Sequence, residues 1–171
     1  MTPVESEAPA RAPVSRVQLV IGIVRRGDEI LLVRESLGAN GEMLWSLPGG
    51  GVQDGEVFHE ALRREMQEET GLVVGDPVAT AFVMHIDSER YPSALAIAFE
   101  INDWEGETLP EDDEIAEAAF FPLPEALKLI GQLESDNQRE PILGYLSGAV
   151  PAGTTWIWRN RDDEEVLLAR W

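Results

Sequence analysis

Two apolar runs, RVQLVIGIVR and EILLVR, flank Gly27 and Asp28 near the start of the chain. Runs of this kind around a glycine turn predict a hairpin of strands, Arg16 to Arg25 and Glu29 to Arg34. Gly38 to Glu42 reads as a loop, and Trp45 to Leu47 as a short strand. The period then changes. From Val57 to Thr70, Phe58, Leu62 and Met66 recur one helical turn apart, which predicts an amphipathic helix. Val78 to Ile86 and Ala94 to Ile101 are β-branched and aromatic enough for strands, with a turn from Asp87 to Pro92. An acidic loop (Asn102 to Asp113), a strand (Ala118 to Pro122) and a helix from Pro124 to Leu133 with Pro in its first turn follow. Ile142 to Leu146 predicts a second short helix. Thr154 to Arg159 and Val166 to Arg170 predict a terminal hairpin around a polar turn at Asn160 to Asp163. Mixed strands with helices on both sides imply an α/β sandwich.

The helix carries an electrostatic oddity. Glu65, Glu68 and Glu69 stand at i, i+3 and i+4, so at about 100° per residue they project to one side. They fall in the last turn, where the helix dipole disfavours acids, and like charges at this spacing repel. Glu65 and Glu69 also border the apolar stripe instead of opposing it. A solvated acidic face is the plain reading of such residues. A bound hard cation such as Mg²⁺ or Mn²⁺ would reverse each of these penalties.

The spacing around the helix is Gly50-x5-Glu56-x7-Arg64-Glu65-Met66-x-Glu68-Glu69-x-Gly71-Leu72. With the preceding Trp45-Ser46-Leu47-Pro48-Gly49-Gly50, it resembles the signature of the Nudix hydrolases. That resemblance implies the Nudix-type α/β/α sandwich with a mixed sheet over residues 16–150, extended by a hairpin at 151–171. It implies metal held by Glu65, Glu68 and Glu69, with help from Glu56, Glu114 and the Gly49 carbonyl. It also implies that Arg64 orients a glutamate, although an i, i+8 separation makes Glu56 a poor partner for Arg64 on local geometry. Either Asp54 or Glu56 is expected to satisfy free N–H groups at the helix start. Gly71 is placed for a left-handed cap.

Composition narrows the reading. A chain of 171 residues suits one domain, burying roughly 68–70% of its unfolded surface. The absence of cysteine excludes disulfides and thiol chemistry and fits a cytoplasmic setting. Residues 1–15 lack the apolar core of a signal peptide and are expected to form a flexible tail. No stretch approaches a membrane span. A net charge of −19, with Lys128 the single lysine, opposes binding to a nucleic-acid polymer.

Outside the signature, Glu114 matches a place where family members carry a metal-ligating or water-activating acid, whereas Glu111, Asp112 and Asp113 read as solvated. The resemblance makes Arg34 a candidate phosphate contact, a task its planar fork suits, with an ordinary surface arginine as the alternative. Trp156 and Trp158 share one side of their strand, either to stack on a base or to pack. The expectation is a Mg²⁺- or Mn²⁺-dependent hydrolase cleaving the diphosphate of a nucleoside diphosphate joined to another group. A nucleoside triphosphate, ADP-ribose or a nucleotide sugar, and a dinucleoside polyphosphate all fit. Tyr91 and Pro92 do not match subfamily spacings that would choose among them. Glu68 or Glu69, then Glu114, are the candidates for general base. The alternative is a catalytically weak Nudix-fold module that binds a nucleotide or a protein to regulate something else. A lone hairpin must dock on something, either its own domain or a second subunit, and a homodimer with the terminal hairpin in its interface is expected.

Overall fold

The computed structural model describes residues 16–89 and 92–171, apart from the side chain of Ala39. The expected N-terminal tail and Tyr91 lie outside the described residues. Strands β1 (Arg16–Arg26), β2 (Glu29–Ser36), β3 (Met43–Ser46) and β4 (Gly49–Gly51) precede helix α1 (Phe58–Thr70). Then come β5 (Val73–Val74), β6 (Ala79–Ser88), β7 (Ser93–Ile101), β8 (Trp104–Glu105) and β9 (Glu117–Pro122). Helices α2 (Leu123–Ile130) and α3 (Asp136–Leu146) follow, and the hairpin β10 (Thr154–Arg161) and β11 (Glu164–Arg170) ends the chain.

Nine strands form one mixed sheet in the order β11-β10-β6-β7-β1-β2-β3, with β4 on β1 and β9 on β2. β1 and β2 pair only near their turn, at Arg25↔Ile30 and Arg26↔Glu29. Beyond it β1 runs parallel to β7 and antiparallel to β4, while β2 takes β3 and β9. The sheet therefore splits into two wings. Strand alternation decides what each face buries. Val20, Val24, Leu31 and Val33 pack on Ala61, Leu62 and Met66 of α1. Ile23, Ile30 and Leu32 face the other way, onto a core that includes Ala126, Ile130, Ile142 and Leu146 of α2 and α3. Helices thus cover both faces, giving the α/β/α sandwich.

Three departures from the sequence expectation have physical causes. Gly49 to Gly51, beyond the short strand expected at Trp45 to Leu47, is itself strand because the backbone of Leu19 to Ile21 pairs with it. β5 and β8 pair with each other over two residues each, too short to leave a periodic signal. α3 starts at Asp136 rather than Ile142, its polar first turn held by Glu165 from β11. The terminal hairpin joins the sheet itself, since β10 runs parallel to β6. Trp156 and Trp158 are buried in the core of this same chain, their rings parallel with centroids 6.4 Å apart. Val166, Leu167 and Leu168 on β11 stay exposed.

Candidate active site

α1 ends at Gly71, whose φ of 77° is left-handed and whose N–H donates to the Gln67 carbonyl. The acidic loop then folds back over this end. The N–H groups of Glu111 and Asp112 donate to the Glu68 carbonyl at 2.8 and 2.9 Å, and that of Leu109 donates to the Thr70 carbonyl at 3.0 Å. Carbonyls that a helix end leaves over are thereby satisfied. A Cβ at position 71 would come 2.5 Å from the Leu109 carbonyl oxygen, so the loop can lie this close only over a glycine. Docking the loop brings its acids against those of the helix.

Glu65 and Glu69 are buried and Glu68 half-buried. Glu65 lies against the backbone of Gly50, where a Cβ would be 2.5 Å from its carboxylate. Arg64 ties the group together. Its Nε and one terminal nitrogen donate to the two oxygens of Glu56 at 2.7 and 3.0 Å. That terminal nitrogen also donates to the Gly51 carbonyl at 2.8 Å, and the other donates to Glu65 at 2.7 Å and Glu68 at 3.0 Å. The expectation that Glu56 is a poor partner is overturned: Glu56 precedes the helix, so helical spacing does not apply, and the turn swings it back onto Arg64. Nor does Glu56 cap the helix. It accepts the Gln53 N–H at 2.9 Å, and the Val57 N–H goes to Glu60 at 3.1 Å.

Electrostatics divide these acids. Hydrogen bonds from Arg64, then from the Gln53 N–H, hold the Glu56 carboxyl down at about 2. Donating these bonds to Glu56 in turn pushes the Arg64 guanidinium above its ordinary range. Burial raises Glu65 against the pull of Arg64. Burial also raises Glu69 to about 8; the Gly49 N–H at 2.7 Å opposes this, while the charges of Glu35, Glu65 and Asp112 add to it. Glu35, at the end of β2, is raised by burial and by Glu114 and Asp112. Sequence reasoning missed Glu35 and took Asp112 for a solvated acid. Both face the group only because β2 and the docked loop converge on it. Glu114 joins the same field, its N–H held by Asp112 at 2.8 Å.

Arg34 lies elsewhere. It sits on the opposite face of β2 from Glu35, 3.6 Å from Glu117 and over the Trp45 ring at 5.9 Å from its centroid. Among the described residues no three acidic or histidine side chains converge as a ready metal cage. Arg64 engages oxygens of Glu56, Glu65 and Glu68, and the Gly49 N–H engages one of Glu69. The donor chemistry still fits a hard divalent cation: oxygens only, in a half-buried field of like charge.

A cavity of about 230 Å³ opens beside Gly49, Gly50 and Glu35, between the wings of the sheet. A larger groove of about 840 Å³ lies at the β10–β11 turn. It shares no residue with the site, and its acids, such as Glu89, Asp136 and Asp162, oppose an anionic substrate.

This fold, with an arginine-tied acidic group at the end of its first helix, defines a hydrolase domain of Nudix type. The family model for the NUDIX domain matches residues 15–142, and the chain belongs to that family. Nudix proteins use a divalent metal and act on small nucleotide derivatives. The NAD-capped RNA hydrolase NudC of Pseudomonas aeruginosa (strain LESB58) is 33% identical over 106 residues, 61% of this chain and 35% of that protein. The chain thus spans about a third of that relative's length. The ADP-ribose pyrophosphatase of Methanocaldococcus jannaschii is 36% identical over 112 residues, 64% of each chain. A Nudix hydrolase structure from Nitrosomonas europaea shares the fold, with a TM-score of 0.71, 18% identity and coverage of 87% of this chain and 82% of that one. No helix among the described residues is long and apolar enough to cross a membrane.

Proposed function

We propose that this chain hydrolyses the diphosphate linkage of a nucleoside diphosphate joined to a second group, with Mg²⁺ or Mn²⁺ as cofactor. The supporting observation is the gathering of Glu65, Glu68 and Glu69 with Glu35, Asp112 and Glu114 beside Gly49 and Gly50, with Arg64 bonded into the group. Held chiefly by Glu65, Glu68 and Glu69, with Glu56, Glu114 and the Gly49 carbonyl as further ligands, a divalent ion would offset phosphoryl charge and acidify a water. Arg64 keeps Glu56 and Glu65 in place. Glu69, which accepts the Gly49 N–H among these acids, is a candidate for removing the proton of that water. Glu68 and Glu114 are the other acids available for that task.

The names of the two relatives favour an ADP-ribose or dinucleotide substrate over a triphosphate or a dinucleoside polyphosphate. The net charge of −19 favours a free small molecule over an RNA chain. We place the protein in the cytoplasm, as residues 16–150 of Nudix domain extended by residues 151–171. We infer a homodimer that covers Val166 and Leu168, whose exposure on an edge strand invites pairing. The deciding assay is hydrolysis of ADP-ribose, a nucleotide sugar, a triphosphate and a dinucleoside polyphosphate with Mg²⁺ or Mn²⁺, scored by released monophosphate. Activity that survives excess chelator, or no turnover of any of these, overturns the reading. Light scattering of the intact protein and of Leu168→Asp tests the dimer; a monomeric mass for the intact protein removes it.

A further inference from the structure

Strand alternation turns Phe82, Met84, Ala96, Trp156 and Trp158 into the core beneath α2 and α3. Val83, His85, Leu95 and Ile157 therefore face the other way, and with Arg16 they line a groove of about 400 Å³. Val83, Leu95 and Ile157 are only half-buried there. On this side of the sheet α1 packs on Val20 and Val24, further along β1 than Arg16. A second groove of about 580 Å³ adjoins the first, bordered by three arginines, Arg16, Arg159 and Arg161, and one acid, Asp87. Asp87 accepts hydrogen bonds from both Arg159 and Arg161, at 3.2 and 2.8 Å, and Glu89 stands 3.8 Å from Arg161. The lining of this groove thus carries an excess of positive charge, on a chain whose net charge is −19.

We propose that this face is a docking surface for residues 1–15 of the same chain, with Glu5 and Glu7 meeting Arg159 and Arg161. Arg16 pairs with Ser93 on β7, and Asp87 on β6 pairs with Arg159 on β10. In the strand order β10-β6-β7-β1, Arg159 is thus three strand spacings, about 14 Å, across the sheet from Arg16. Extended chain from Glu7 to Arg16 reaches up to about 30 Å, more than the crossing needs. Glu5 and Glu7 are two residues apart, as are Arg159 and Arg161. An extended segment therefore presents its two carboxylates on one side at the spacing of the two guanidinium groups. Pro9 and Pro13 favour extended backbone, and with Ala8, Ala10 and Ala12 they offer small apolar groups to Val83, Leu95 and Ile157. A second copy laid face to face on the groove would set these arginines against their own equivalents, which like charge disfavours.

The chain has no cysteine, so Ala8→Cys in the full-length protein takes a nitroxide spin label at one position only. The test is the loss of methyl NMR signals from Val83, Leu95 and Ile157, measured against the same sample with the label reduced. These signals are expected to be lost selectively, while methyl groups on the α2 and α3 side, such as those of Ile130 and Leu133, keep theirs. Neutralising both acids, Glu5→Gln with Glu7→Gln, is expected to restore the groove signals, and Glu5→Asp with Glu7→Asp to keep them lost. Neither pair of changes touches the core, so a fold defect does not enter. Signals that persist in the labelled protein overturn the proposal and leave the groove open in the isolated chain. Equal, weak losses over the whole surface that ignore the two glutamates overturn it too, as the sign of an undocked segment. A mixture of spin-labelled chain with isotope-labelled chain lacking the cysteine separates the occupants. Losses of the same size in that mixture would place a second copy's segment on the groove and also overturn the proposal.

Discussion

Glu69 and Glu165 are acids set against opposite kinds of helix end. Glu165, on β11, accepts the Asn137 N–H at 3.0 Å and the Asn137 side-chain amide at 2.9 Å, and also bonds the Ser135 hydroxyl. These groups belong to the start of α3, where free N–H groups and the positive end of the dipole favour a carboxylate. Glu69 stands at the negative end of α1, holds the Gly49 N–H, and faces Glu35, Glu65 and Asp112. One acid supports its helix, and the other is disfavoured by nearly everything around it except a cation. The terminal hairpin thus steadies α3, which supplies Gln138 and Ile142 to the cavity beside Gly49 and Gly50, and Glu35 is the one acid in that lining.

The widest separation between the two regions is expected in turnover. Glu69→Gln should lower kcat on the order of 10²–10⁴-fold, as for a lost acid–base or metal role. Glu68→Gln should act in the same direction. Glu165→Gln should leave kcat near that of the intact protein while lowering stability by about 1–2 kcal/mol. Steady-state kinetics and thermal unfolding of the three variants measure both effects. Equal losses of turnover at 69 and 165 would erase the distinction.

Arg64→Lys comes next, at about 10–100-fold in activity, the usual range for a residue that orients metal ligands. A lysine ammonium cannot bond both Glu56 oxygens and the Gly51 carbonyl in the same plane. Added Mg²⁺ should recover part of the loss. Normal activity at low Mg²⁺ would show that the Arg64 network does not position the glutamates.

A pH series sharpens the contrast without mutation. In the metal-free protein the Glu69 carboxyl keeps its proton up to about 8, against 4.5 for the ordinary group. Between those values the folded state binds more protons than the unfolded one, so stability falls as pH rises through the window. At about 1.4 kcal/mol per unit, the loss amounts to a few kcal/mol. Glu56 acts in the opposite direction: its contribution is present above 4.5 and is lost as pH falls towards about 2. Unfolding in chelator from pH 5 to 8.5 should show a falling Tm, and Glu69→Gln should flatten it. A flat profile in the intact protein would contradict the burial effect assigned to Glu69.

The clustering of the helix carboxylates, the strands β1, β2, β3, β6 and β7 and the left-handed cap at Gly71 were legible because each is written in local spacing. Glu35 was not, since a single acid at a strand end acquires meaning only when the wings part beside Gly49. Asp112 was hidden for a related reason: its role depends on backbone N–H groups that dock the loop on Glu68, and backbone donors leave no mark in a sequence. The pairing of Arg64 with Glu56 ran against the expectation from local geometry, and the resemblance implied only that Arg64 orients a glutamate. Trp156 and Trp158 were read correctly as sharing a side, but a strand pattern alone does not say what covers that side.

The smallest effect separates two glycines with similar backbones. Gly71 (φ 77°) and Gly153 (φ 80°) are both left-handed, so alanine at either costs about 1–2 kcal/mol from conformation alone. Their surroundings differ. A Cβ at 153 meets nothing within 4 Å, whereas one at 71 meets the Leu109 and Glu107 carbonyl oxygens at 2.5 and 2.9 Å. Gly153→Ala, just ahead of β10, should therefore lower Tm by the conformational cost and leave kcat unchanged. Gly71→Ala should cost more, because the acidic loop must lift from α1, and lifting it moves Asp112 and Glu114 away from Glu69 and Glu35. A raised Mg²⁺ requirement in Gly71→Ala, absent from Gly153→Ala, is the expected signature. Identical behaviour of the two variants would mean that the docked loop contributes nothing to the site.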